Sequence, residues 1–193
     1  MNGKLFSVIT PVFNGATYIE ETIQSIINQN FKDFEYIIVD GASTDGTLKI
    51  IDKYSSRINK LISEKDNGMY DAIDKGIKQS NGKYLLWVNS DDILADNHSL
   101  ENLSEYLRKV ESQWITGRAS FIFENQNKIF NFIPYVYPNF IIKNGLAHDC
   151  FWGFVQQEST IFSRELYDQV GGFNMNLKMA GDYDLWEKVF KLY

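Results

Sequence analysis

Apolar and polar positions change their period repeatedly along the first ninety residues. Residues 5–10 (LFSVIT) are an apolar run that predicts a short buried strand, stopped by Pro11. Thr17 and Glu20 have capping-box spacing, and Ile19, Ile23, Ile26 and Ile27 behind them mark one stripe of a helix. Residues 34–39 (FEYIIV) predict a second strand that ends at Asp40-Gly41. A second helix, capped by Thr44, turns Leu48, Ile51 and Tyr54 inward. Residues 58–63 predict a weaker strand, and residues 69–79 a helix with Met69, Ile73 and Ile77 four apart. Residues 84–88 (YLLWV), the most apolar strand, run straight into Asn89-Ser90-Asp91-Asp92.

This β-α-β-α-β-α-β order with short connections predicts an α/β fold, a mainly parallel sheet with helices on both faces. In such sheets ligands bind beyond the carboxyl ends of the strands. Three polar segments fall there: residues 10–14, 40–45 and 89–92. Past residue 95 the texture changes. Leu100, Leu103, Leu107 and Val110 predict a helix, and residues 114–123 and 128–133 a hairpin. A loop-rich aromatic stretch covers 134–154. Residues 159–162 predict a strand, 164–170 a helix ended by Gly171-Gly172, and 183–190 a last helix. No repeat or linker appears, so residues 1–193 read as one domain in two halves, 1–95 and 96–193. The end at Tyr193, soon after that helix, reads as either a truncated chain or a short member.

Composition narrows the functions. Nineteen Lys and Arg against twenty-five Asp and Glu give a net charge of -6 over 193 residues, which argues against a binder of nucleic-acid phosphates. The single cysteine, Cys150, excludes an internal disulfide and a multi-thiolate zinc site. No apolar run is long enough to span a membrane, and the N-terminus lacks a signal-peptide pattern, so the expected compartment is the cytoplasm.

The chemistry-bearing residues are mostly carboxylates. Asp91 and Asp92 follow the most buried strand, where unpaired anions are costly and a cation is their natural partner. Hard oxygen ligands suit Mg²⁺ or Mn²⁺, although Asp is also a common turn residue and helix cap. Gly41 and Gly46 have the spacing of a phosphate loop, but Thr47-Leu48 stands where that loop needs Lys-Ser/Thr. Lys75 is either a phosphate contact or a solvated helix lysine, and His148 beside Asp149 is a further candidate for a metal or acceptor contact.

Five blocks together make a specific resemblance: residues 10–15 (TPVFNG), 39–47 (VDGASTDGT), 63–76 (SEKDNGMYDAIDKG), 88–92 (VNSDD) and 171–186, from GGF to AGDYDLW. In order and spacing the chain resembles a family 2 glycosyltransferase with a GT-A fold, a user of nucleotide-diphosphate sugars. The resemblance implies a nucleotide-sugar-binding half and a smaller mixed acceptor-binding half. It departs from the family at Asn89, where the first Asp of Asp-x-Asp is expected, and at Gly181, where many members have Glu.

Inverting, metal-dependent transfer of a sugar, a UDP-sugar favoured, to a hydroxyl of a glycan or lipid-linked acceptor follows from that resemblance. Implied donor contacts are Thr10, Pro11, Phe13, Asn14, Asp40, Ser43, Asp66, Gly68, Asn89 and Asp91. Asp91 and Asp92 would hold Mn²⁺ or Mg²⁺, and Asp182 would be the general base, with Asp184 as rival. Gln157, Glu158 and Trp152 would meet the acceptor, whereas Trp186 reads as core. A lipid-linked acceptor would place the protein at the inner face of the membrane, in polysaccharide or glycolipid assembly. Two alternatives remain. A nucleotidyltransferase would carry a basic Gly-rich first loop, but residues 10–16 contain no Lys or Arg; a non-catalytic sugar-nucleotide binder is suggested only by Asn89.

Overall fold

Four parallel strands carry the site: β1 (Phe6–Val12), β2 (Phe34–Asp40), β3 (Lys60–Ser63) and β4 (Tyr84–Trp87). With β5 (Trp114–Thr116) and β8 (Thr160–Ser163) they form one six-stranded sheet of order β3-β2-β1-β4-β8-β5. β8 runs antiparallel to both β4 and β5. β6 (Ser120–Ile122) and β7 (Ile129–Asn131) form a separate antiparallel pair. The computed structural model describes residues 3–117, 120–122, 129–131 and 157–192.

Each strand alternates its side chains between two cores, as the two-residue period of a sheet requires. Ile9, Ile37, Val39, Leu85 and Trp87 face one side, beneath α3 (Met69–Lys78), α5 (Arg164–Gln169) and α6 (Gly181–Leu192). Phe6, Val8, Tyr36, Ile38 and Leu86 face the other, beneath α1 (Ile19–Ile27), α2 (Thr47–Asp52) and α4 (Ser99–Lys109). The α1 stripe Ile19, Ile23, Ile26 and Ile27 is buried, each side chain stabilising the fold by about 1.5–3 kcal/mol. α3 lies close on the sheet because residue 76 is glycine: a Cβ there would sit 2.6 Å from Ile9 Cγ2.

Several boundaries differ from expectation for identifiable reasons. β1 continues through Pro11 to Val12. Val12 O accepts from Gly41 N on the β2 side, so by alternation the nitrogen of residue 11 faces β4. β4 ends at Trp87, and its last bond to β1 is Val88 N to Ile9 O; the next rung would run from residue 11 N to Val88 O, and proline, with no N–H, ends the ladder there. The Thr17–Glu20 capping box does not form. Tyr18 takes the N-cap position, while Glu20 accepts from Tyr54 at 2.8 Å and Lys53 at 3.2 Å. Thr44 does not cap α2, which starts at Thr47 behind Gly46. Met69, expected on the buried stripe of α3, is exposed at the start of that helix, and Val110 lies exposed just past α4.

The segment expected as the first hairpin arm divides in two. Trp114–Thr116 joins the main sheet beside β8, and only Ser120–Ile122 pairs with Ile129–Asn131. The β4–β8 pairing therefore ties residues after 95 to the same sheet as the first half. Arg164 reinforces that seam by donating to Gly82 O, Ile77 O and Ser80 Oγ. Gly171 and Gly172 end α5 with φ of 79° and 68°, and Gly172 N reaches back to Tyr167 O in a Schellman-type closure.

Candidate active site

The loops after β1 and β2 are held together by side chains of both. Asn14 N donates to Ser43 Oγ at 2.8 Å, and Thr44 N returns a bond to Asn14 Oδ1 at 2.9 Å. Gly15 N donates to Thr47 Oγ1 and Ala16 N to Asp45 Oδ2, both at 3.0 Å. The hydroxyl of Thr47, followed by the backbone N–H groups of Ala16 and Thr47, holds the Asp45 carboxyl below its usual range. Asn14 and Ala42 adopt left-handed backbone conformations, with φ of 50° and 65°. For residues with a Cβ this costs roughly 1–2 kcal/mol each.

Asp40 is fully buried at the end of β2. Its carboxylate accepts Ser63 Oγ at 2.8 Å and is capped by Ser43 N at 3.2–3.3 Å. In this structure it shapes the loop from beneath. Asp66 lies above it: Gly41 has no side chain, and a Cβ there would meet Asp66 Oδ2 at 2.6 Å and Phe13 Cδ2 at 3.3 Å. Asp66 Oδ1 accepts from Gly68 N, whose φ of 122° opens α3. Phe13 is 64% exposed, an aromatic face turned to solvent beside a carboxylate.

Thr10 is fully buried, and its hydroxyl accepts from the buried Tyr36 at 3.1 Å. Pro11 is likewise buried within β1. The side chains of both expected donor contacts lie under the loop surface. Lys75 is half-buried, and its ammonium pairs with Glu64 at 3.0 Å and Asp71 at 3.4 Å.

Beyond β4 the chain turns through Asn89, Ser90, Asp91 and Asp92. Thr22 donates to Ser90 O at 2.9 Å, and Gly15 packs against the Ser90 side chain, so this turn adjoins the β1 loop. Asp91 is exposed; Asp92 is half-buried and accepts from Asn89 Nδ2 at 3.0 Å. Burial, then the charges of Asp91 and Glu158, push the Asp92 carboxyl up to about 6. Gln157 connects this cluster to the core, bonding Trp87 Nε1 through its oxygen and Glu158 Oε1 through its nitrogen. Glu158 thus faces the acids after β4, and Gln157 is a buried brace.

These residues suit a divalent ion chemically. Asp91 and Asp92 are hard oxygen donors, and Asn89 Oδ1 is a buried acceptor with no hydrogen-bond partner among the described residues. Among those residues no three His, Cys, Asp or Glu side chains form a preassembled metal cage. Mg²⁺-type ions take much of their shell from phosphate and water.

Asp182 lies in the first turn of α6, buried, and its Oδ1 accepts from Tyr70 OH at 2.8 Å. Tyr70 belongs to the first turn of α3, just beyond Asp66 and Gly68. Asp184, the rival candidate, is ion-paired with Lys188 at 2.7 Å along the same helix. Trp186 is core: its ring stacks on Trp87 at 5.8 Å and meets Trp114 edge-on at 4.2 Å. Trp152, His148 and Cys150 lie outside the described residues.

Asp66, Phe13 and the Asn89–Asp92 turn all project from the carboxyl edge of parallel strands, and α3, starting at that edge, reaches Asp182. Residues 7–171 match the sequence profile of glycosyl transferase family 2. The chain belongs to this family. An uncharacterized glycosyltransferase of Rickettsia conorii is 30% identical over 204 residues, covering 97% of this chain and 32% of that relative. S. aureus TarS 1-349 in complex with UDP-GlcNAc aligns with a TM-score of 0.71 at 25% identity, covering 96% of this chain and 53% of that one. The mannosyltransferase PcManGT of Pyrobaculum calidifontis, in complex with GDP-Man and Mn²⁺, shares the fold with a TM-score of 0.70 at 22% identity, covering 98% of this chain and 52% of that one. The chain thus spans about a third to a half of these proteins.

Nothing in the local sequence pattern assigns a role to Tyr70. The only available signal was its position, four residues after Asp66 in a helix whose buried stripe was expected to hold apolar residues.

Proposed function

We propose that the protein transfers a sugar from a nucleotide-diphosphate sugar, a UDP-sugar favoured, to a hydroxyl acceptor with inversion at the anomeric carbon. Family membership and the likeness to a UDP-GlcNAc-bound structure support the donor class. The observation that carries the mechanism is Asp182: a buried carboxylate bonded to a helix that starts beside the donor-side loops. Phe13 offers a flat contact to the base, Asp66 accepts from base or ribose, and Asp40, Asn14, Ser43 and Gly68 hold the loops that present them. Asp91 and Asp92, with Asn89 beside them, would hold Mn²⁺ or Mg²⁺. When bound, such an ion neutralises the charge of the departing diphosphate.

Asp182 removes the proton of the acceptor hydroxyl as its oxygen attacks the anomeric carbon. The bond from that carbon to the phosphate oxygen breaks, and the electron pair leaves with the nucleoside diphosphate. A single displacement of this kind inverts the centre. Glu158 and Gln157 border the acceptor side. Among the described residues no helix is long and apolar enough to cross a membrane, and a glycan or lipid-linked acceptor at the inner membrane face is part of this proposal.

The test is nucleotide release from a panel of UDP- and GDP-sugars with Mn²⁺, with binding followed by thermal shift. Asp182→Asn is expected to keep donor binding and lose turnover at least a hundredfold, the scale of general-base catalysis. Turnover that survives in Asp182→Asn would remove the base from the mechanism. Metal-dependent binding without turnover toward any acceptor or water would favour the non-catalytic binder.

A further inference from the structure

We propose that Tyr70 is a positioning residue for the transfer, anchoring one oxygen of Asp182 so that the other is presented to the acceptor hydroxyl. The inference rests on the reading of Asp182 as base. Tyr70 OH and Asp182 Oδ1 are 2.8 Å apart, and both side chains are buried. The bond joins residues 112 apart in sequence, the first turn of α3 to the first turn of α6.

The surroundings fix the tyrosine ring rather than merely admitting it. Gly181 lies flat against it, and a Cβ there would come within 2.8 Å of two ring carbons. Phe173 packs on it with centroids 5.2 Å apart. Ala180, immediately before α6, adopts φ of 57°, a conformation unusual for a residue with a side chain. The turn into α6 is therefore bent so that glycine meets the ring and the next residue meets the hydroxyl. The other charged groups of this helix end, Asp184 and Lys188, pair with each other and leave the phenol as the donor to Asp182. Burial, then the charge of Asp182, push the Tyr70 phenol up to about 12, so it keeps its proton and stays a donor at working pH.

Because Tyr70 follows Asp66 and Gly68 on the same segment, donor contacts at that loop and the orientation of the base are carried by one element.

Tyr70→Phe removes the hydroxyl and keeps the ring. In the full chain, with the nucleotide sugar that gives the largest thermal shift and water as acceptor, kcat near neutral pH should fall about tenfold or more, the weight of a hydrogen bond to a charged group. The donor KM should stay within about twofold, so that the loss falls on kcat and not on binding. An unchanged kcat, or a loss carried by the donor KM, would overturn the proposal. Loss of turnover in Asp182→Asn with an unchanged Tyr70→Phe sinks the tyrosine alone, whereas retained turnover in Asp182→Asn sinks the base and the tyrosine together. A readout independent of turnover is the ζ-carbon NMR resonance of Tyr70. It should shift in Asp182→Asn and stay in place in Asp184→Asn; a resonance that Asp182→Asn leaves unmoved refutes the contact.

Discussion

Asp92→Asn should stabilise the metal-free protein above about pH 6 and leave it unchanged near pH 4. Burial, then Asp91 and Glu158, push the Asp92 carboxyl up to about 6, so the folded state holds this proton to higher pH than the unfolded chain does. Below the ordinary carboxyl range both states are protonated, and the group makes no difference. As pH rises toward 6 the unfolded chain releases its proton first, and the folded state loses stability. The interval up to about 6 corresponds at full strength to about 3 kcal/mol. Asp92 keeps partial contact with water, and screening reduces the cost to about 1–2 kcal/mol. Asparagine has no charge to bury, and its oxygen can still accept from Asn89 Nδ2. Urea unfolding in chelator, at several pH values, should show the gain opening with pH, with a melting temperature about 3–6 °C higher at pH 7.5. Added Mn²⁺ should stabilise the parent more than the variant, because binding to the native state raises its stability by mass action. A variant that is less stable at pH 7.5, or a difference independent of pH, would refute the crowding of these carboxylates.

Phe13→Ala removes an exposed ring, so stability should change by no more than about 0.5 kcal/mol while donor affinity falls about tenfold, measured by calorimetric titration with UDP. Equal affinity would take Phe13 out of the donor site. Gly76→Ala places a methyl 2.6 Å from Ile9 Cγ2, an overpacking cost of about 1–3 kcal/mol against roughly 1 kcal/mol returned by helix propensity. Net destabilisation, with reduced turnover because α3 carries Tyr70, is the expected outcome by urea unfolding and nucleotide release.

The alternating α/β plan was legible because both strand and helix periods were explicit: β4 is an unbroken apolar run, β2 holds one from Tyr36 to Val39, and α1 shows its four isoleucines at helical spacing. What escaped depended on neighbours that local pattern does not name. Pro11 stands at the rung where the β1–β4 ladder stops, while β1 goes on pairing with β2 through Val12. The split between Trp114–Thr116 and Ser120–Ile122 is decided by pairing with Thr160–Ser163, more than forty residues later. In the site, Phe13 and Asp91 are exposed and Asp66 is half-buried, whereas the bond of Thr10 to Tyr36 depends on a residue of the neighbouring strand. The Tyr70–Asp182 bond spans most of the chain and leaves no mark on either segment alone.

Strain shows where that long-range information is held. Among the described residues, the non-glycine residues with positive φ are Asn14, Ala42 and Ala180. Two lie in the loops that follow β1 and β2, and the third immediately precedes the helix that carries Asp182. Elsewhere in these residues, positive φ is left to glycine, at positions 46, 68, 171 and 172. A left-handed alanine costs roughly 1–2 kcal/mol and persists only where its surroundings over-determine it. At Ala42 the constraint is the Asp40–Ser43 turn, and at Ala180 it is the seat of Gly181 on the Tyr70 ring. Both constraints aim a carboxylate, one beneath the donor loops and one at the proposed acceptor side, so the fold concentrates its backbone strain in fixing the positions of acids.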